Sequence, residues 1–201
     1  MAVPTKPIIF AAALLPLAWL VFALLTGRTS ANPAEDIILG TGIWALRFLL
    51  LTLTITPLRR LTGWHGVIAY RRMLGLFAFF YACVHLLSYV AFDRFFALDE
   101  VLADVAKRPF ITAGMAALAL MVPLAITSTR GWIRTLGRRW QVLHRLVYVS
   151  AAAACLHFVW KVKVVIGEPV YYVAILAALL AIRLVWWMRP RRRSRRQPVP
   201  A

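Results

Sequence analysis

Three of the four histidines in this 201-residue chain, His85, His144 and His157, lie within or at the edge of long apolar stretches. His85 falls inside residues 73–92 and His157 inside residues 143–160. An imidazole in hydrocarbon is costly without a partner, so each of these side chains marks a functional site by default. A metal or haem iron gripped between two helices would supply two of them with a partner at once. Iron held in that way does one-electron chemistry.

The elements that must position these residues follow from composition. With 62% of residues hydrophobic and only 15% charged, the chain has the makeup of a membrane protein. Six apolar stretches stand out, 8–25, 41–55, 73–92, 110–126, 143–160 and 170–188. Each approaches the ~17–25 residues a spanning helix needs, the second being the shortest. Strict strand-like alternation is missing, which argues against a β-barrel. The expected fold is therefore all-α: a six-helix transmembrane bundle forming a single integral membrane domain over residues 1–201. The first stretch is longer than the ~7–15 apolar residues of a signal peptide, so it is expected to stay as a helix.

Charge sets the expected topology. The net charge is +17, and the basic residues alternate from one side to the other. Arg59, Arg60, Arg71 and Arg72 crowd the second connection, Arg130, Arg134, Arg138 and Arg139 the fourth, and Arg189 to Arg196 the tail. The other connections mix both signs. This pattern predicts both termini on the cytoplasmic side of the membrane. The arginine-rich tail, 189–201, reads as an anchor against anionic lipid rather than as a nucleic-acid arm.

Cys83 and Cys155 read as small buried residues, without a disulfide framework or zinc pattern. Pro57 is expected to close the second span, Pro109 and Pro169 to open the fourth and sixth, and Pro16 and Pro123 to kink helices. No internal repeat is evident at this level.

Depth sharpens the reading of the histidines. With the amino terminus inside, His85 and His157 both stand roughly 18–21 Å above the cytoplasmic edge, at about 1.5 Å per residue. Matched depth favours ligation of one iron over separate structural hydrogen bonds. His144 sits at the cytoplasmic edge, where ligation and a simple hydrogen bond are evenly balanced. The small residues Ala78, Ala82, Ser150, Ala153 and Ala154 near the deep pair suit a flat macrocycle or close helix packing. His65 reads as a solvated loop residue. Arg47 lies at about the depth of the deep pair, where it either pairs with a haem propionate or snorkels outward. Arg71 and Arg72, at the inner end of the third span, suit propionates, a flavin phosphate or a lipid phosphate equally. Arg183 is expected to snorkel.

Several segments together resemble a known family. They are Thr54-Ile55-Thr56-Pro57-Leu58-Arg59, Arg71-Arg72-Met73-Leu74-Gly75-Leu76, Tyr81-Ala82-Cys83-Val84-His85, Lys107-Arg108-Pro109-Phe110-Ile111-Thr112 and the run from Trp140 to Tyr148. Over about residues 42–163 the chain resembles the haem-binding membrane subunits of bacterial protein-methionine-sulfoxide reductase. These belong to the wider ferric-reductase-like transmembrane group. The resemblance implies b-type haem, one or two, together with FMN. It implies electrons drawn from the quinone pool or a cytoplasmic flavin reductase. The implied recipient is a periplasmic molybdopterin-containing subunit that repairs oxidised methionine. In the wider group two helices each give two histidines; here His85, His144 and His157 match three positions, and the fourth falls near Arg71 and Arg72. No nucleotide-binding fingerprint is present, so the chain is expected to depend on a partner at each face. The competing readings are a b-type metal-ion (ferric) reductase acting without that partner, and a cofactor-free transporter or assembly factor.

Overall fold

The structure is a computed structural model that describes residues 5–162 and 167–188. The basic tail from Arg189 onward and Lys163 lie outside the described residues. Among those described there are nine α-helices and no strand: α1 (Thr5–Leu25), α2 (Pro33–Thr62), α3 (Ile68–Ser88), α4 (Leu98–Lys107), α5 (Pro109–Ile126), α6 (Arg130–Leu136), α7 (Arg138–Leu143), α8 (Leu146–Val162) and α9 (Glu168–Met188). A 3₁₀ turn, His65–Val67, leads into α3, and a π turn, Tyr89–Asp93, ends it. Six spans are long and apolar enough to cross a membrane: α1, α2, α3 with its two flanking turns, α5, α7 continued by α8, and α9. The protein is a multi-pass membrane protein, as its composition predicts.

The second span, expected to be the shortest, is the longest helix at 30 residues. Its polar ends are helical for local reasons. Asn32 caps it by accepting the Glu35 N–H at 3.3 Å, Pro33 occupies the first turn, and Glu35 and Asp36 face the positive end of the dipole. Pro57 does not close the helix. It lies buried within it, and the helix runs on to Gly63, whose φ of 71° ends it. A helix proline leaves the carbonyl four residues back without its donor. That carbonyl belongs to Leu53, and Arg183 of α9 donates to it, while also bonding the Leu179 carbonyl at 3.0 Å. Arg183 therefore turns inward to repair α2 instead of snorkelling.

Tyr81 of α3 makes a similar repair in α1. Its fully buried hydroxyl accepts the Leu17 N–H at 3.1 Å and donates to the Ala13 carbonyl at 2.8 Å. The hydroxyl thus bridges an open helical rung beside Pro16 and ties α1 to the bundle. α2 packs most closely with α3, and α5 with α8.

The third connection, one of those that mix both signs of charge, contains α4. An ion network pins this helix. The Asp104 carboxylate lies 2.6 Å from Arg94 Nη2 and 3.0 Å from Arg108 Nε, and it accepts the Tyr89 hydroxyl. The Tyr89 hydroxyl, aided by Arg108 and Arg94, holds the Asp104 carboxyl below its usual range against the opposing effect of burial. Asp104→Asn should lower the hydrogen-exchange protection of α4 by roughly 1.5–3 kcal/mol, the worth of bonds to a charged group. The sign with pH follows. A depressed folded-state value stabilises above the unfolded carboxyl at about 3.9, and this is lost as pH falls through the lower folded value. In the parent chain the same loosening should therefore begin only below about pH 4.

Candidate functional site

His85 on α3 and His157 on α8 face one another with ring centroids 6.0 Å apart and planes inclined at 73°. Each ring is anchored through Nδ1 to a backbone carbonyl: His85 to Ile38 at 2.8 Å, and His157 to Phe110 at 2.6 Å. A carbonyl oxygen only accepts, so both Nδ1 atoms carry the proton. Both Nε2 atoms then keep their lone pairs, the form that binds a metal. An iron held by imidazole nitrogens at about 2 Å on each side, each nitrogen about 1 Å from its ring centre, needs centroids roughly 6 Å apart. The observed spacing meets that requirement.

Two glycines permit this placement. A Cβ on Gly42 would lie 3.0 Å from the His85 ring, and a Cβ on Gly114 only 2.8 Å from His157 Nδ1. Each ring therefore rests on bare backbone of the neighbouring helix. Around the pair is a cavity of about 580 Å³, within the ≈ 300–1,000 Å³ range of cofactor and ligand sites. Ala82, Ala154 and the two glycines line it beside the histidines. Ala78 and Ser150 instead serve helix packing, being fully buried, with Ser150 bonded to the Ala117 carbonyl.

The donor set discriminates between ligands. A bare ion needs three or four protein ligands. Among the described residues no cluster of three His, Cys, Asp or Glu side chains could hold one. A porphyrin brings its own equatorial nitrogens, so two axial imidazoles suffice. The residues present fit haem and do not fit a bare metal ion.

The site also contains a repeat that the sequence reading missed. Ile38 and Phe110, Gly42 and Gly114, and His85 and His157 are each separated by 72 positions (110 − 38, 114 − 42 and 157 − 85). The same shift aligns Ala82-Cys83-Val84-His85 with Ala154-Cys155-Leu156-His157. The α2–α3 and α5–α8 pairs are thus two versions of one unit, each presenting one histidine. The signal, Ala-Cys-x-His written twice, is short and set among apolar residues that match everywhere. Carried to the other end, the shift pairs His144 with Arg72, so the second unit has a histidine there and the first an arginine.

The remaining site residues separate. His144 caps α7, its Nδ1 donating to the Trp140 carbonyl at 3.1 Å and its ring stacked 3.8 Å from the Trp140 ring. Its Nε2 is buried without a hydrogen-bond partner among the described residues, the Leu124 backbone standing beside the ring. Arg71 is partly buried near Tyr148, Arg183 and Arg59, whereas Arg72 is exposed. Arg47 is not in the cavity wall. Its Nε donates to the Tyr172 hydroxyl at 2.9 Å, and its guanidinium lies 4.8 Å from the centre of the Trp44 ring. His65 is exposed, as expected. Two cations missed by the sequence reading, Arg108 and Lys161, do line the cavity. Arg108 enters the sequence analysis only within a segment that carries the family resemblance, and Lys161 only as one charge of a mixed-sign connection, because nothing local marks either as facing a cavity.

Comparison with known proteins places this geometry. The family described as ferric reductase like transmembrane component matches residues 41–155, which include Gly42, His85, Gly114 and His144. The "Protein-methionine-sulfoxide reductase heme-binding subunit MsrQ" of Herminiimonas arsenicoxydans is 52% identical over 92% of this chain and 86% of its own length. The protein of that name from Rhodospirillum rubrum is 51% identical over 94% of this chain and 91% of its own. The one from Xanthomonas euvesicatoria is 47% identical over 98% and 94%. No solved structure gives a significant match. The chain belongs to the ferric-reductase-like transmembrane family, in the branch of the MsrQ subunits of protein-methionine-sulfoxide reductase.

Proposed function

We propose that this chain is the haem-carrying membrane subunit of a bacterial protein-methionine-sulfoxide reductase. In this reading it passes electrons across the inner membrane to a periplasmic molybdopterin-containing subunit that repairs oxidised methionine in proteins. One observation carries the proposal: two imidazoles from separate spans, each anchored through Nδ1 so that Nε2 keeps its lone pair, stand with ring centroids 6.0 Å apart in a glycine-lined cavity, a spacing suited to one iron. The relatives' name, a heme-binding subunit of protein-methionine-sulfoxide reductase, supports a catalytic subunit of that reductase as the recipient.

His85 and His157 would hold haem b, which when bound supplies one-electron chemistry. The chain's own residues fix the ligand tautomer through Ile38 and Phe110, keep the rings oriented through Gly42 and Gly114, and exclude water with apolar walls. The charge distribution supports the direction of flow. All seven carboxylates lie at one end of the bundle, on the α2 and α9 amino termini, the end of α3 and α4. Arg59, Arg60, Arg71, Arg72, Arg130 and Arg134 lie at the other, and such an excess favours the cytoplasmic side. Both termini are then cytoplasmic, and the deep pair lies toward the periplasm. Electrons enter at the His144 end, from the quinone pool or a cytoplasmic flavin reductase. The buried Nε2 of His144, without a hydrogen-bond partner among the described residues, favours a second cofactor there, a second haem or FMN, with Arg71 and Arg72 near its anionic groups.

Reduced-minus-oxidised spectra of the purified chain test the cofactor, with b-type bands expected and their absence ending the proposal. In proteoliposomes, the chemically reduced chain should be reoxidised by methionine sulfoxide only when the molybdopterin subunit is present. Equally fast reoxidation by ferric chelates without that subunit would favour a metal-ion reductase instead.

A further inference from the structure

We infer that Arg108 and Lys161 clamp the carboxylates of the bound macrocycle, with Asp104 as the positioning residue for Arg108. The inference rests on the haem reading above. Over most of its depth the cavity wall is apolar, and its charged groups, Glu35, Asp93, Arg108 and Lys161, gather at the α4 end. A flat ligand with an apolar body and two carboxylates fits only with the carboxylates at that end, since a buried unpaired carboxylate is prohibitively costly.

The two acids at the mouth are already engaged. Asp93 lies 3.4 Å from Arg94, and Glu35 accepts from the Asn32 amide at 3.4 Å. The two cations remain available. Among the described residues no carboxylate lies within salt-bridge reach of Lys161. Arg108 gives its Nε to Asp104 at 3.0 Å, and Asp104 is itself held at 2.6 Å by Arg94. A guanidinium has five donors in a rigid fork, so this one bond fixes its direction and leaves donors for a second carboxylate.

Both cations also stand on the elements that hold His157. Arg108 precedes by two residues the Phe110 whose carbonyl bonds His157, and Lys161 lies one helical turn beyond it. The 72-residue shift that superposes the histidines sets Arg108 against Asp36 and Lys161 against Tyr89. Among the described residues only the α5–α8 unit thus presents cations at the mouth. The two-fold pseudo-symmetry of the axial ligands is broken, and the macrocycle is held in one orientation, its carboxylates toward α5 and α8.

The test compares uptake of protohaem and of its dimethyl ester, in which both carboxylates are masked, by the full chain in detergent. The parent should bind protohaem at least tenfold more tightly than the ester. Arg108→Gln with Lys161→Gln should bind the two about equally, and each single variant should lose part of the discrimination. Asp104→Asn should also reduce it, with Asp104→Glu restoring it, an effect that loosening of α4 alone would not make selective for the acid. The midpoint potential should fall in the double variant, because removing cations disfavours the added electron. Full discrimination in both single variants overturns the clamp, even where the double variant fails to fold. Equal binding of acid and ester by the parent overturns it as well, while a parent that binds neither overturns the haem reading itself.

Discussion

His85→Ala and His157→Ala are each expected to abolish the haem between α3 and α8, seen as at least a tenfold fall in pyridine haemochrome from that site. The size follows from the donor set. The rings face each other at 6.0 Å, and no third ligating side chain lies in reach to replace a lost one among the described residues. Changing even the groups that orient a ligand costs 10–100-fold in metal affinity, so removing the ligand itself should cost no less. The two variants should behave alike, because each leaves the same singly ligated iron. Free imidazole should partly restore the six-coordinate spectrum, since truncation opens space at the vacated position. His144→Ala should leave this site's spectrum intact, for its ring is held at the other end by Trp140. A full complement of haem in either deep-histidine variant would separate the pair from any shared iron.

Gly114→Ala should produce the second large effect, from a single added methyl group. Its Cβ would come 2.8 Å from His157 Nδ1, so the ring must turn and its 2.6 Å bond to the Phe110 carbonyl must lengthen or break. A loss of 10–100-fold in haem affinity is expected. Gly42→Ala should act in the same direction and more weakly, because its closest ring atoms stand at 3.0 Å. Gly75→Ala is the internal control. Its Cβ would meet the Thr52 side chain alone, the methyl at 3.6 Å and the hydroxyl at 3.8 Å, both ordinary contacts, and haem binding should not change. Alanine is better than glycine in a helix by about 0.8–1 kcal/mol, so intrinsic propensity favours all three variants. Weakened binding at 114 and 42 alone would thus come from the histidine rings. Equal haem affinity in all three variants would remove the glycine cradle from the site.

The family resemblance and the site were legible to different degrees. Six spans could be read because hydropathy is additive along a chain and needs no knowledge of neighbours. The equal depth of His85 and His157 could be read as well, since a helix rises by a fixed amount per residue. Helix ends were less accessible. Proline at 57 suggested a stop, and only the approach of Arg183 from α9 to the Leu53 carbonyl, 130 positions apart in the chain, shows why α2 continues past it. Arg47 matched the deep histidines in level, yet depth carries no direction around the bundle, and Tyr172 and Trp44 turn it toward α9.

By itself, then, the sequence determined the class of the protein, the number of its crossings and the level of its two deep imidazoles, because each depends on composition or on rise per residue. Only the tertiary structure decided what those imidazoles touch. Ile38 and Gly42 reach His85 from α2, and Phe110 and Gly114 reach His157 from α5, each carbonyl 47 positions from its ring. Contacts of that kind depend on the rotation of one helix against another. Packing sets that rotation, and local hydropathy leaves it open.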